Sequence, residues 1–326
     1  MKNGQRRPVT AHPEGFLPIL LAAVCMLITL LVAVINSFIF PFHSQLLSPV
    51  ICQILILLIP AYLSMTFLAP EQSLSQRISG IGFARLRADY IFFILFTAIF
   101  ATTGAQLLDM LFGGTREASK GFTVLASFTA GTDEYATSYP YLILAYAIFP
   151  AIIEETVFRG VIFSQLKKIS TPTAVVISSL LSALFAFRLG GLPSALFCAL
   201  LYCFVLLTTG SLQACIIVHF IYNLYALLLG TNVAAYFHSA RSNFLPIAIC
   251  IGAWLIGASL FFTESAKIYR AKADRVAAGE ESGIQKMSLA TLKNELIGTL
   301  GFRPTFVCLV CFLVLFAVTF ILTTIF

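Results

Sequence analysis

Charge is what this 326-residue sequence has least of: Asp, Glu, Lys and Arg make up only 10% of it. A soluble globular domain carries about 25%. With 59% hydrophobic residues and a mean hydropathy of +0.96, the deficit excludes a soluble fold and points to a polytopic membrane protein. Cysteine is absent from every polar stretch. All eight (Cys25, Cys52, Cys198, Cys203, Cys215, Cys250, Cys308 and Cys311) lie in apolar runs, which excludes a disulfide framework in the loops. Cys308 and Cys311 have CxxC spacing, but in an apolar helix they read as small buried hydrophobes. The chain also lacks internal repeats and low-complexity tracts. Histidine is scarce, with none between His43 and His219.

A helix needs about 20 apolar residues to cross a bilayer. By that measure the sequence predicts an all-α, polytopic helical bundle of about nine transmembrane helices, at 16–40, 46–69, 89–112, 139–165, 171–187, 192–208, 211–230, 244–263 and 304–326. The first apolar run is too long for a cleaved signal peptide, so none is expected. If the N-terminus is cytoplasmic, Lys2, Arg6, Arg7, Arg77, Arg85, Arg87, Lys167, Lys168 and the seven Lys and Arg between Lys267 and Arg303 are cytoplasmic. Only Arg116, Lys120, Arg188 and Arg241 lie outside, as the positive-inside rule demands. The expected location is therefore a bacterial-type plasma membrane, with the N-terminus cytoplasmic and the C-terminus outside. This asymmetry accounts for the net charge of +6, and no nucleic-acid partner is implied.

Polar stretches divide the chain into three parts. Residues 1–138 hold helices one to three, residues 139–230 a compact core of helices four to seven, and residues 231–326 the last two helices with a cytoplasmic loop at 264–303. That loop is expected to be part helical, with LATLKNELIGTL an interfacial amphipathic turn within it.

The core carries the polar residues that need explaining. In PAIIEETVFRG, Pro150 is expected to kink the helix one turn before Glu154. Glu155 and Arg159 are four apart and can pair, while Glu154 points about 100° away and is less neutralised. Ionised groups at this depth normally face a bundle interior or a wet cavity. A structural ion pair would explain Glu155 and Arg159 but not Glu154. In the seventh helix His219 and Asn223 share a face, about 12 and 18 Å from Ser211. Glu154 lies about 16 Å from the same end of its own helix, near Gln165, so the three groups fall at one depth. A carboxylate that can take a proton from water, beside an imidazole and an amide that can donate to an oxyanion, is a hydrolytic set. Zinc is a possible cofactor on Glu154 and His219, although catalytic zinc takes three protein ligands.

EETVFR matches an EExxxR motif and HFIYN an HxxxN motif, with ISSLLSALF, GGLPSALF and TTGSLQACIIVHFIYN around them. Together they resemble the CPBP family, the type II CAAX prenyl endopeptidase-like (Abi) membrane proteins, over about residues 139–230. The resemblance implies an intramembrane, metalloprotease-like hydrolase. In it Glu154 activates water, His219 and Asn223 stabilise the oxyanion, and Glu155 and Arg159 support the site. The expected partners are the lipid bilayer and a peptide or membrane-protein substrate.

The family also has an FxxxH motif on the next helix, whose His helps hold the water. Here that alignment gives Ser182 for the Phe and Ala186 for the His; sliding the frame to Phe185 puts Leu189 at the His position. Arg188 is near, but a guanidinium accepts no proton and binds no metal. The expectation is therefore a peptidase weakened by the missing His. The alternative is a non-catalytic scaffold or immunity protein that binds partners. A transporter that uses the buried carboxylates for proton coupling is a third, weaker reading.

Overall fold

The structure is a computed structural model that describes residues 13–38, 49–68, 70–112, 139–185, 187, 189–230, 244–278, 287–301 and 303–325. Among these residues there is helix and no strand, as expected for chain segments that must satisfy their backbone polar groups without water.

Helix α1 is Phe16–Phe38. Helix α2 runs from Pro49–Gln53 through a π turn at Ile54–Leu58 into Ile59–Leu68. A short helix, α3 (Leu74–Gly80), opens with a capping box in which Ser73 and Gln76 satisfy each other's backbone N–H groups. Helix α4 is Ile91–Phe112. Helix α5 covers 139–166, with π segments at Leu144–Ile148 and Thr156–Ile162. The core continues with α6 (Thr171–Leu184), α7 (Leu192–Thr209) and α8 (Leu212–Tyr225). Last come α9 (Phe244–Ala277), α10 (Leu289–Leu300) and α11 (Arg303–Ile325).

Six of these are long and apolar enough to cross a membrane: Val50–Leu68, Ala88–Phe112, Pro140–Leu166, Leu192–Thr209, Leu212–Leu229 and Ile247–Ala277. The fifth expected span is a shorter apolar helix, Thr171–Leu184, and the apolar part of α1 with described side chains is Phe16–Val32. Helices α10 and α11 meet at 76° and pass the same test only as a bent pair. The eighth span does not stop at residue 263. It continues to Ala277 as one 34-residue helix, so the first third of the expected 264–303 loop is helical.

The prolines leave a common signature. Pro60 and Pro150 each follow, after one intervening residue, a five-residue π turn, Ile54–Leu58 and Leu144–Ile148. Proline lacks the N–H that closes an α turn, and its ring crowds the carbonyl one turn back. Widening that turn relieves the clash without ending the helix. Pro140–Leu166 is a single span, and a π turn in its hydrogen-bond ladder stands just before Pro150.

Helix α4 packs against α9, α7 and α8, and α6 against α5 and α7, while α1 pairs with α11 on another side. An aromatic seam fills the α4–α7–α9 junction. Phe100 touches Phe197 (centroids 5.4 Å apart), Trp254 (5.9 Å) and Phe261 (5.0 Å), within the range of favourable ring pairs.

Candidate active site

The site is built where α5, α6, α7 and α8 meet. Their termini are fixed by short-range chemistry. Ser170 caps α6 by accepting from the Thr173 N–H, with Pro172 in its first turn. Gly210 closes α7 in the left-handed conformation (φ +66°), donating its N–H to the Leu206 carbonyl. Helix α8 starts two residues later, and the segment between α3 and α4 ties its first turn. The Leu212 N–H donates to the Gly82 carbonyl (2.9 Å), the Ser211 hydroxyl to the Ala84 carbonyl (2.8 Å), and the Leu86 N–H to Gln213 Oε1 (3.2 Å). These bonds satisfy backbone groups that the helix itself leaves open.

Glu154 and Glu155 end the α-helical stretch Phe149–Glu155 of α5, and Arg159 lies in the π segment that follows. Arg159 and Glu155 have fully buried side chains. Arg159 Nη1 donates to Glu155 Oε1 (3.2 Å) and to the Ser182 hydroxyl of α6 (2.9 Å), and its Nη2 donates to the Ala199 carbonyl of α7 (3.0 Å). Its guanidinium also lies 5.3 Å from the Tyr202 ring centroid. A buried charge is tolerable when it is paired and hydrogen-bonded, and here three helices contribute acceptors to the two Nη groups, while Nε has no partner among the described residues.

Glu155, not Glu154, makes the short contact with His219. The His219 Nδ1 is 2.8 Å from Glu155 Oε1, while Nε2 is 3.9 Å from Glu154 Oε2. The shared depth of Glu154 and His219 gave no lateral order, and the structure provides it: Glu155 lies between Arg159 and His219, with Glu154 on the far ring nitrogen. Glu154 is also the more open carboxylate, with 27% of its side chain exposed. Because the acceptor at Nδ1 is a carboxylate already paired with an arginine, the network assigns the ring proton to Nδ1. Nε2 then lies on the Glu154 side of the ring, 3.9 Å from Oε2.

Ser182, the residue at the expected Phe position of the second motif, is the α6 hydroxyl that receives Arg159. Ala186 lies outside the described residues. Asn223 is half-buried one turn beyond His219, and its carbonyl accepts from the Ala226 N–H. One neighbour was not anticipated from sequence. The Tyr202 ring stacks on the His219 ring, with centroids 4.9 Å apart and planes 19° from parallel. A depth signal was there: Tyr202 lies about 10 Å from the Thr209 end of α7 at 1.5 Å per residue, close to the level of His219 in α8.

The donor set does not fit a catalytic zinc. Glu154 Oε2 and His219 Nε2 face each other, but Glu155 Oε1 is committed to Arg159 and to His219. Among the described residues no group of three or more His, Cys, Asp or Glu is placed to hold a metal ion, and three protein ligands are what such a site takes.

Residues 136–225 match the family described as Rce1-like, type II CAAX prenyl endopeptidase Rce1-like. No curated protein and no solved structure matches the chain. The matched stretch holds Glu154, Glu155, Arg159, Ser182, Tyr202 and His219, and over it the chain is similar to the type II CAAX prenyl endopeptidase Rce1-like family.

Proposed function

We propose that the chain is an intramembrane endopeptidase that hydrolyses a peptide bond of a membrane-delivered substrate, with Glu154 as the general base. The observation that carries this reading is the order Arg159–Glu155–His219–Glu154, in which one carboxylate is spent on holding the imidazole and the other is left partly exposed on its far side. At 3.9 Å, Glu154 and His219 are too far apart for a direct hydrogen bond and suitably spaced to share a water.

In the proposed step Glu154 takes a proton from that water as its oxygen attacks the scissile carbonyl. The His219 ring, held at Nδ1 by Glu155, faces the developing oxyanion with Nε2, and the half-buried Asn223 amide is a donor on the same helix face. Glu154 then returns its proton to the departing amine. Glu155 and Arg159 touch neither substrate nor water in this scheme. No metal enters any step.

One sequence feature favours the alternative of a non-catalytic scaffold: the second-motif histidine is missing, with Ser182 and Ala186 in its frame. Lys and Arg placement supports an orientation with the N-terminus cytoplasmic and the C-terminus outside. Incubating the purified protein in detergent with a library of membrane-anchored peptides tests the peptidase reading. Fragments from the wild type that vanish in Glu154→Gln support it. No fragments from the wild type, with partner capture intact in Glu154→Gln, would establish the scaffold. Ala186→His is expected to raise the cleavage rate if the missing histidine is what limits it.

A further inference from the structure

We propose that Tyr202 is a positioning residue for this site: the ring against which the His219 imidazole is held so that its two nitrogens meet Glu155 and Glu154. The proposal rests on the peptidase reading for its consequence in catalysis, but not for its geometry. A single hydrogen bond from Nδ1 to Glu155 fixes one point of the imidazole and leaves the ring free to turn about that contact. The position of Nε2 then needs a second restraint, which the near-parallel stack on Tyr202 supplies.

Three further contacts make α7 a suitable platform at this level. The Tyr202 carbonyl accepts from the Cys215 thiol (3.2 Å), and Cys215 lies one turn before His219 in α8. The Tyr202 ring also faces the Arg159 guanidinium, and the Ala199 carbonyl, three residues earlier, accepts from Arg159 Nη2. One turn of α7 therefore grips α5 through Arg159 and α8 through both Cys215 and His219. Tyr202 is buried, with 3% of its surface exposed, so its ring has no freedom to leave this stack without repacking α7. The same ring thus sets the position of both partners that flank Glu155.

The test reads the histidine directly and needs no substrate. The chain has four histidines, so protein labelled with 15N-histidine in detergent gives few signals, and loss of one set in His219→Gln assigns His219. The wild type is expected to show a protonated Nδ1 in one ring environment, with a nuclear Overhauser contact to the Tyr202 ring. Tyr202→Phe, which keeps the ring, is expected to preserve that signature. Tyr202→Met fills the space without a flat face and should split or broaden the His219 signals. Unchanged His219 signals in Tyr202→Met would overturn the proposal. So would the absence of the Tyr202 contact in the wild type, which decides the matter even if the Met variant does not fold. Once a cleaved peptide is in hand, Tyr202→Met is expected to lower kcat about tenfold or more while changing KM less, the pattern of a misplaced catalytic group. A wild type that cleaves nothing would sink the peptidase reading and leave the spectroscopic result on Tyr202 standing.

Discussion

A guanidinium sealed from water must find every acceptor within the bundle, and Arg159 draws on a carboxylate of its own helix, a hydroxyl of α6 and a carbonyl of α7. Replacing it with Met leaves the Glu155 carboxylate buried beside His219 alone. That change is expected to cost about 3–5 kcal/mol of stability, the usual effect of removing one member of a buried pair, and to show as a lower melting temperature in detergent. Arg159→Lys should recover only part of the loss, since one ammonium cannot reach three divergent acceptors as a planar fork does. The pairing of Glu155 with Arg159 was legible from their four-residue spacing alone. That His219 takes Glu155 was not, because residues on different helices have no relative azimuth in a sequence. Depth was the usable signal: it brought Glu154 and His219 to one level, and applied to α7 it reaches Tyr202.

At the scale of elements, the prolines and the amphipathic segment are informative. Pro150 was readable as a disturbance of α5, but the π turn before it depends on packing that the sequence does not display. LATLKNELIGTL was readable as an amphipathic turn and forms the 12-residue helix α10, with Ser288 accepting from the Thr291 N–H at its start. Its docking was not readable. Glu295 Oε2 accepts from the Ser170 (2.5 Å) and Thr173 (2.7 Å) hydroxyls, placing a carboxylate at the first turn of the site-bearing helix α6. An anion at that end is favoured by the helix dipole as well as by its donors. Glu295→Ala is expected to destabilise the protein by about 1–3 kcal/mol. It should also speed proteolysis of the segment around α10 relative to the membrane helices, as measured by fragment mass. Equal proteolysis in the two proteins would show that α10 is held by other contacts.

Across the whole molecule, low charge and long apolar runs were enough to indicate a helical membrane bundle. The number of crossings was harder to read. Hydropathy sees length and apolarity but not where a helix bends or how far it continues, and α9 runs on to Ala277. Close approach of helices was also invisible from sequence. Gly104 of α4 faces Phe197 and Trp254 so tightly that a Cβ would fall 2.6–2.9 Å from their rings. Gly104→Ala should therefore push α4 away from α7 and α9 and cost about 1–3 kcal/mol, read from thermal unfolding in detergent. A variant as stable as the wild type would mean that this aromatic seam can repack without loss.

The division of labour between two adjacent carboxylates is the most direct point of attack, because Glu154→Gln and Glu155→Gln are isosteric changes one residue apart. Single-turnover cleavage of one membrane-anchored peptide by the wild type and both variants, each with its melting temperature recorded, separates a base from an orienting group. If Glu154 is the base, Glu154→Gln retains the wild-type melting temperature and loses about 10²–10⁴-fold in rate. Glu155→Gln should lower the melting temperature, because it leaves Arg159 without its buried counter-charge. Cleavage that survives Glu154→Gln at the wild-type rate would contradict the assignment of Glu154 as the base.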